Sequence, residues 1–321
     1  MVNLVGDVVS ILVPIYNVEN YIARCARSLF EQTYENIEYV FVDDCTPDKS
    51  ISVLNQILEE YPQRLNAVSV FHHKQNRGLS AVRNTCIKKS NGEFVLFVDS
   101  DDYLEKNAVE KLVSKQIESQ CDIITGQAIR HTQNSFFIME RPQFRKKTDF
   151  VNDMIEPTIH HTIWGRLIKR SLFIDNNIQA KEGINIGEDL QMMTQLAFFC
   201  NKDTSISDIV YHYDTTNMNS LMNTKKNAKN LYKLQQDKDS MKQVYSFFKT
   251  HDTNYVPKIV QYLKFYLNNL AKEYCAIGNK HAYTNTQKEI KELNLSITFK
   301  ERLFLNNYYL CKFFLFIEHI L

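Results

Sequence analysis

The order of apolar and polar positions in the first 127 residues predicts strands and helices in alternation. Apolar runs rich in β-branched and aromatic residues predict buried strands, at 8–13, 37–42, 68–72, 94–98 and 122–127. Between these runs, apolar residues recur at the spacing of one helix face, over 20–31, 51–58, 79–90 and 104–119. Strands that alternate with helices are typical of crossover units, so we expect an α/β fold with a Rossmann-like, mostly parallel sheet flanked by helices.

The pattern changes beyond residue 127. Residues 128–215 mix short strands and loops with two helical stretches, near 164–175 and 188–200. From about residue 223 strand patterns nearly disappear, and long helices are predicted, at 223–250, 255–276 and 297–320. We therefore expect one α/β domain over residues 1–220, with halves 1–105 and 106–220, followed by a helical C-terminal region over 221–321.

Three carboxylates follow the predicted strand at 94–98 within four positions: Asp99, Asp101 and Asp102. Carboxylates this close raise one another's pKa unless a cation neutralises them. Open α/β sheets bind ligands at the carboxyl ends of their strands, so the cluster indicates a divalent ion completed by water and substrate phosphates. Asp43-Asp44 ends another strand and is expected at the same edge. For either set alone, solvated loop or helix-cap carboxylates are the alternative.

Composition narrows the classes of function. The formal net charge of the 321 residues is +1, which excludes by bulk charge a strongly basic nucleic-acid-binding protein. None of the eight glycines forms a G-x-G or P-loop motif, so neither common glycine-rich nucleotide site is present. Seven scattered cysteines without a C-x-x-C pair predict reduced thiols and no zinc site. With no signal-peptide pattern, we expect a cytoplasmic protein.

Positive charge concentrates toward the C-terminus. Residues 216–321 hold 16 lysines and arginines against 8 aspartates and glutamates. Residues 299–321 add many aromatic and leucine side chains beside Lys300, Arg302 and Lys312. This tail is expected either to pack on the domain or to lie as an interfacial helix on an anionic membrane.

Five motifs occur in a fixed order between residues 13 and 102. They are Val13–Asn17, Ser28–Thr33, Val40–Asp48, Asn76–Asn84 and Gly92–Asp102. Together they resemble glycosyltransferase family 2, the inverting transferases with a GT-A fold. Three positions carry less usual residues, namely Phe41, Thr46 and Val82.

The resemblance implies a donor site for a UDP-sugar. Tyr16 matches the aromatic residue that stacks on the base, although a core tyrosine is the alternative. Asp44 matches the acceptor for the base N3–H, and Asp43 orients the loop. Asp99 matches the residue near the ribose, and Asp101 the ligand of Mn²⁺ or Mg²⁺, with Asp99 as a second metal ligand. The donor-binding set also includes Pro14, Asn17, Arg83 and Ser100, with a purely structural role open for Arg83.

The resemblance also implies a catalytic base. The segment Trp164–Arg170 matches the family, and Gly187-Glu188-Asp189 follows it at a predicted helix start. Asp189 is the expected base and Glu188 the reserve, whereas ordinary helix-capping carboxylates are the alternative. Trp164 is expected either to stack on an acceptor sugar or to lie in the core. Asp102 is expected to contact the acceptor or to support the site from behind.

One departure from the family concerns the segment Tyr211-His212-Tyr213-Asp214. Relatives often have arginine where this chain has Asp214, followed by a serine that Ser220 matches. The substitution removes a possible phosphate contact on this side of the site. His212 is more readily explained as a structural residue.

These observations predict an inverting, metal-dependent hexosyltransferase. The expected reaction moves a hexose or N-acetylhexosamine from a UDP-sugar to a glycan or lipid-linked acceptor. The resemblance implies assembly of a bacterial surface polysaccharide, such as capsule or lipopolysaccharide, at the inner face of the membrane. Two alternatives stay open: a metal-dependent nucleotidyltransferase and a non-catalytic sugar-nucleotide-binding protein.

Overall fold

The computed structural model describes residues 7–139, 147–156, 161–217, 226–293 and 307–312. The chain divides into two compact units, residues 1–224 and 225–321. The first unit is an α/β structure, and the described part of the second is helical.

One mixed sheet organises the described part of the first unit. Its strands are β1 (Val9–Ile15), β2 (Ile37–Asp43), β3 (Val68–His72), β4 (Phe94–Phe97), β5 (Tyr103–Leu104), β6 (Ile123–His131), β7 (Phe136–Met139), β8 (Arg166–Lys169) and β9 (Asp203–Asp214). Its helices are α1 (Ile22–Phe30), α2 (Ser50–Glu59), α3 (Leu79–Lys89), α4 (Ala108–Ser119), α5 (Lys147–Ile155), α6 (Arg170–Asp175) and α7 (Glu188–Phe199). The strand order is β3-β2-β1-β4-β8-β6-β9-β5, with β7 paired to β6.

The first four strands of this order are parallel, as the alternating pattern predicts. Val9 of β1 is paired with Ile37 of β2 and with Phe94 of β4. Every residue of β1 and β4 is buried, which explains their continuous apolar runs. Because parallel strands end at one edge, the residues after β2 and β4 meet there. The predicted α/β fold with flanking helices is confirmed, and β8, β7 and β5 add antiparallel pairings.

Two residues of the Asn76–Asn84 motif lie against the segment that precedes α7. Gly78 has φ +85°, where a side chain is strained, and a Cβ there would press on the Asn185 side chain. Asn84 donates to the Ala180 carbonyl and accepts from the Ala180 N–H, both at 2.9 Å. The Asn76–Asn84 motif therefore serves packing as well as chemistry.

The structure differs from the predicted pattern in the second half. The stretch near 164–175 was expected to be helical, but Arg166–Lys169 is a strand and the helix begins at Arg170. Leu167 and Ile168 pair with both β4 and β6, and this burial overrides local helical spacing. The 12-residue strand β9 also exceeds the short strands expected there.

The second unit contains the long helices α8 (Lys226–His251), α9 (Val256–Ala276) and α10 (Lys280–Glu292), and α9 packs against the other two. Leu267, Cys275, Tyr283 and Ile290 belong to its buried cluster. The helix predicted at 297–320 lies largely outside the described residues. Across the described ranges, no helix is both long and apolar enough to cross a membrane.

Candidate active site

The loop after β4 places three carboxylates at the edge where the parallel strands end. The Asp102 N–H donates to the Asp99 carbonyl at 3.0 Å, which closes a tight turn. Burial, followed by the charge of Asp99, raises the pKa of Asp101 to about 6. Crowded and partly desolvated, this loop is a place where a cation would be strongly favoured.

Asp102 supports the loop from below. Its Oδ2 accepts from the Tyr211 hydroxyl at 2.6 Å, and its Oδ1 accepts from the Asp214 N–H at 2.8 Å. The Tyr211 hydroxyl in turn accepts from the Asp99 N–H at 3.1 Å. Asp102 is fully buried with both oxygens engaged, so the prediction that it contacts an acceptor is wrong.

Trp164 lies in the core rather than on a sugar-binding surface. Its ring stacks on Tyr211 with centroids 4.2 Å apart and planes 13° apart, and it also contacts Tyr213. Only 3 % of the residue is exposed. The prediction that Trp164 stacks on an acceptor is therefore corrected: it stacks on the tyrosine that holds Asp99 and Asp102.

Arg83, in α3, joins the two predicted carboxylate groups of the site. Its Nη2 lies 3.1 Å from Asp99 Oδ1 and 3.5 Å from Asp189 Oδ1, and its Nε lies 3.3 Å from Glu188 Oε1. Burial alone would lower the pKa of the guanidinium, but Asp99, Asp189 and Glu188 outweigh it and raise that pKa. Arg83 is 1 % exposed and pairs with these carboxylates, which favours the structural role left open for it over direct contact with the donor.

Glu188 and Asp189, the two candidates for the general base, begin α7. Gly187 precedes the helix at φ +84°, and negative charge in a first helical turn is favoured by the helix dipole. The Ile163 N–H donates to Asp189 Oδ2 at 3.2 Å. The side chain of Asp189 is 18 % exposed and that of Glu188 only 7 %, so Asp189 is the more accessible of the two.

Burial also changes the pKa values of these two carboxylates. It raises the pKa of Asp189, an effect that Arg83 partly offsets. Burial and then the charge of Asp189 raise the pKa of Glu188 as well. A carboxylate with a raised pKa accepts a proton more readily than a solvated one, as a general base requires.

Asp43 and Asp44 organise the loops at the ends of β2 and α3. Asp44 accepts from the N–H groups of Arg77 at 2.9 Å and Gly78 at 2.7 Å, and its Oδ1 lies 2.7 Å from His73 Nδ1. Asp43 accepts from the Thr46 N–H and lies 2.9 Å from His72 Nδ1. Asp44 is 2 % exposed and both of its oxygens already accept hydrogen bonds. A carboxylate offers about four lone-pair sites, so contact with a nucleotide base stays a prediction that depends on its one remaining site.

The remaining predicted donor residues lie around the same edge. Tyr16, directly after β1, is 47 % exposed, so it is not a core tyrosine. Asn17 has φ +55°, and its N–H donates to the Thr46 hydroxyl at 2.8 Å. Pro14 is buried within β1, opposite Val42, and Ser100 is buried in the carboxylate loop. Of these, Tyr16 presents the largest surface to a ligand.

Several residues of this site carry no sequence signal that singles them out. Arg24 of α1 lies 2.6 Å from Asp214 and donates to the Asp101 carbonyl at 2.9 Å. Asn217 donates to Asp101 Oδ2 at 2.9 Å. Only the unusual Asp214 could have drawn attention to Arg24. Ser220 lies outside the described residues.

The carboxylate oxygens of the loop after β4 are suited to a hard divalent ion. No group of three histidine, cysteine or acidic ligands converges among the described residues. Mg²⁺, however, is usually held by one or two carboxylates together with substrate phosphates and water. Asp99 Oδ1 is buried without a hydrogen-bond partner, although Arg83 lies near it. Asp99 and Asp101 thus fit Mn²⁺ or Mg²⁺ as ligands shared with a nucleotide.

Comparison with curated proteins gives partial matches. Glycosyltransferase GlyA of Streptococcus pneumoniae is 32% identical over 224 residues, 65% of this chain and 31% of that protein. Poly(ribitol-phosphate) beta-N-acetylglucosaminyltransferase TarS of Staphylococcus aureus is 32% identical over 213 residues, 64% of this chain and 35% of that protein. The chain thus spans about a third of the length of these two relatives.

Solved structures share the fold. The TarS 1–349 complex with UDP-GlcNAc has a TM-score of 0.56 and 21% identity, and covers 88% of this chain and 91% of that one. A mannosyltransferase of Pyrobaculum calidifontis, in complex with GDP-Man and Mn²⁺, has a TM-score of 0.53 and 16% identity, and covers 95% and 85%. The family model described as "Glycosyl transferase family 2" matches residues 10–175. The carboxylate edge at Asp99–Asp102 lies within that match, and the chain belongs to glycosyltransferase family 2.

Proposed function

We propose that this protein transfers a hexose or N-acetylhexosamine, with inversion, from a UDP-sugar to a hydroxyl group of a glycan or lipid-linked acceptor. The observation that carries the proposal is the position of Arg83 between Asp99 and Asp189. The buried guanidinium of Arg83 holds Asp99, the predicted donor-side carboxylate, close to Asp189, the predicted general base. A sugar bound on the open side of this pair would have its diphosphate leaving group near Asp99 and the attacking hydroxyl near Asp189.

The donor site uses the edge formed by β1, β2 and β4. Tyr16 offers an exposed ring on which the uracil base stacks, and Asp44 accepts the uracil N3–H with its remaining lone pair. Asp99 lies near the ribose. A divalent ion held by Asp101 and Asp99 would supply charge stabilisation for the departing diphosphate. The UDP-GlcNAc complex of TarS supports a uridine nucleotide by likeness of fold.

Asp189 performs the proton transfer. As the acceptor oxygen attacks the anomeric carbon, Asp189 takes the hydroxyl proton, and the bond from that carbon to the diphosphate oxygen breaks. The new glycosidic bond forms on the opposite face, which is inversion. Arg83 and the Ile163 N–H keep the Asp189 carboxylate in place during this step.

The acceptor is proposed as a hydroxyl-bearing bacterial surface polymer. TarS is named for transfer to poly(ribitol-phosphate), which supports a polyol or glycan acceptor of this kind. The resemblance to transferases of bacterial surface-polysaccharide assembly implies an acceptor at the inner face of the membrane. We therefore propose that the protein is cytoplasmic and associates peripherally with that surface through its lysine-rich second unit.

Calorimetric titration with UDP and a panel of UDP-sugars, with and without Mn²⁺, tests the donor site. Wild type should bind UDP in a metal-dependent manner, and Asp101→Ala should lose that dependence. Asp208→Ala is the matched control, because Asp208 pairs with Lys111 away from this loop and should not matter. Binding without turnover of any UDP-sugar would instead favour a non-catalytic nucleotide-binding protein.

A further inference from the structure

Arg24 is the second arginine beside the carboxylate loop, and the predicted mechanism does not use it. It lies in the first turn of α1, and its Nη2 donates both to the Asp101 carbonyl at 2.9 Å and to Asp214 Oδ2 at 2.6 Å. Asp101 is the proposed metal ligand. The guanidinium therefore sits at the point of the loop where the donor diphosphate is expected.

The surrounding side chains hold Arg24 in this position. Asp214 Oδ1 accepts from the N–H and hydroxyl of Thr216, and the Asp214 N–H donates to Asp102. The guanidinium also lies 4.5 Å from the Tyr103 ring, which itself stacks on His212 at 4.3 Å and 3°. Asp214 is thus oriented by three hydrogen bonds of its own, as an anchor for one arginine needs to be.

Part of Arg24 is available to a ligand. Both of its hydrogen bonds use Nη2, and within the described ranges Nε and Nη1 have no partner. Its side chain is 44 % exposed, in contrast to buried Arg83. A diphosphate here would add negative charge to Asp99, Asp101, Asp102 and Asp214, so a second cation on the outer side is favoured.

We propose that Arg24, held by Asp214, is a donor-binding residue that contacts the diphosphate of the bound nucleotide. The inference rests on the proposed function. It also gives Asp214 a role, because this carboxylate holds the guanidinium that reaches the edge from α1.

The test compares Arg24→Ala with Arg27→Ala, measuring affinity for UDP by calorimetry and for uridine by ligand-observed NMR. Arg27 is a matched control because it lies one turn further along α1, is 41 % exposed and also forms a 2.6 Å ion pair, with Glu60. Arg24→Ala should weaken UDP about ten- to a hundred-fold, the cost of one charged hydrogen bond, and leave uridine unchanged. Arg27→Ala should change neither affinity.

Several results would overturn the assignment. Arg24→Ala with wild-type UDP affinity, or with equal losses for UDP and uridine, would show that Arg24 does not contact the diphosphate. The same loss in Arg27→Ala would point to a general effect of helix charge. Failure of the wild-type protein to bind UDP would overturn the proposed function first, and this assignment with it.

Discussion

The two halves of the first unit build their parts of the site differently. Residues 43–44 lie at the end of β2 and residues 99–102 follow β4, so parallel pairing alone brings these carboxylates to one edge. The second half reaches the same edge through a helix start at Glu188 and a long strand that ends at Asp214. Regular strand ends position the first set, whereas individual side-chain contacts position the second.

Two arginines connect these halves, and they differ in burial. Arg83 of α3 is buried and pairs with Glu188 and Asp189, while Arg24 of α1 is half exposed and pairs with Asp214. In both cases a helix of the first half supplies the cation and the second half supplies the carboxylate. The buried arginine is suited to holding the proposed base in place, and the half-exposed arginine is suited to contacting a ligand.

The largest effect is expected from Asp189→Asn. The amide keeps the shape but cannot take a proton, so kcat should fall about 10²- to 10⁴-fold with little change in donor affinity. Steady-state kinetics and UDP titration check this together. Glu188→Gln should retain substantially more activity. If Glu188→Gln is the more damaging variant in kcat while both still bind UDP, Glu188 is the base.

Arg83→Met should destabilise the protein by about 3–5 kcal/mol, because it leaves buried carboxylates without a counter-charge. The loss should grow with pH. Without Arg83, the pKa values of Glu188 and Asp189 rise further above those of the unfolded chain, so their protonated forms are favoured in the folded state. The stability that the protonated carboxyl groups of the variant contribute is present at low pH and lost as pH rises. Urea denaturation at about pH 5 and about pH 8 measures it; equal losses would contradict the arrangement.

Gly78→Ala should cost about 1–3 kcal/mol, because a side chain is strained at φ +85° and would press on Asn185. Thermal denaturation gives the loss. Gly183→Ala is the control for backbone strain alone: its φ is +88°, but a Cβ there meets nothing within 4 Å. A loss at Gly78 no greater than at Gly183 would show that the approach to Asn185 is unimportant.

The smallest effect is expected from Trp164→Phe. The shorter ring should keep part of the stack on Tyr211 and cost about 1 kcal/mol of stability. KM for the acceptor should not change, because Trp164 is buried. A rise in acceptor KM without any loss of stability would restore the sugar-stacking interpretation that the structure corrects.

Much of the site could be predicted because it follows local patterns. Asp99 and Asp101 come directly after an apolar run, and Glu188-Asp189 begins a predicted helix. The contacts of Arg24, Tyr211 and Asn217 could not be predicted, because each joins segments 77 to 190 residues apart and no periodicity encodes such contacts. The strand at Arg166–Lys169 was missed for a similar reason, since its neighbours in the sheet decided it.

The sequence by itself determined the parallel α/β half, the order of its motifs and the edge at which its carboxylates gather, because strand period and strand polarity are local properties. Only the tertiary structure decided what those residues do. Asp102 and Trp164 are buried, and long-range ion pairs join Arg83 to Glu188 and Asp189 and Arg24 to Asp214. Side-chain burial and charge pairing depend on which distant segments meet, and that is settled only by the packed fold.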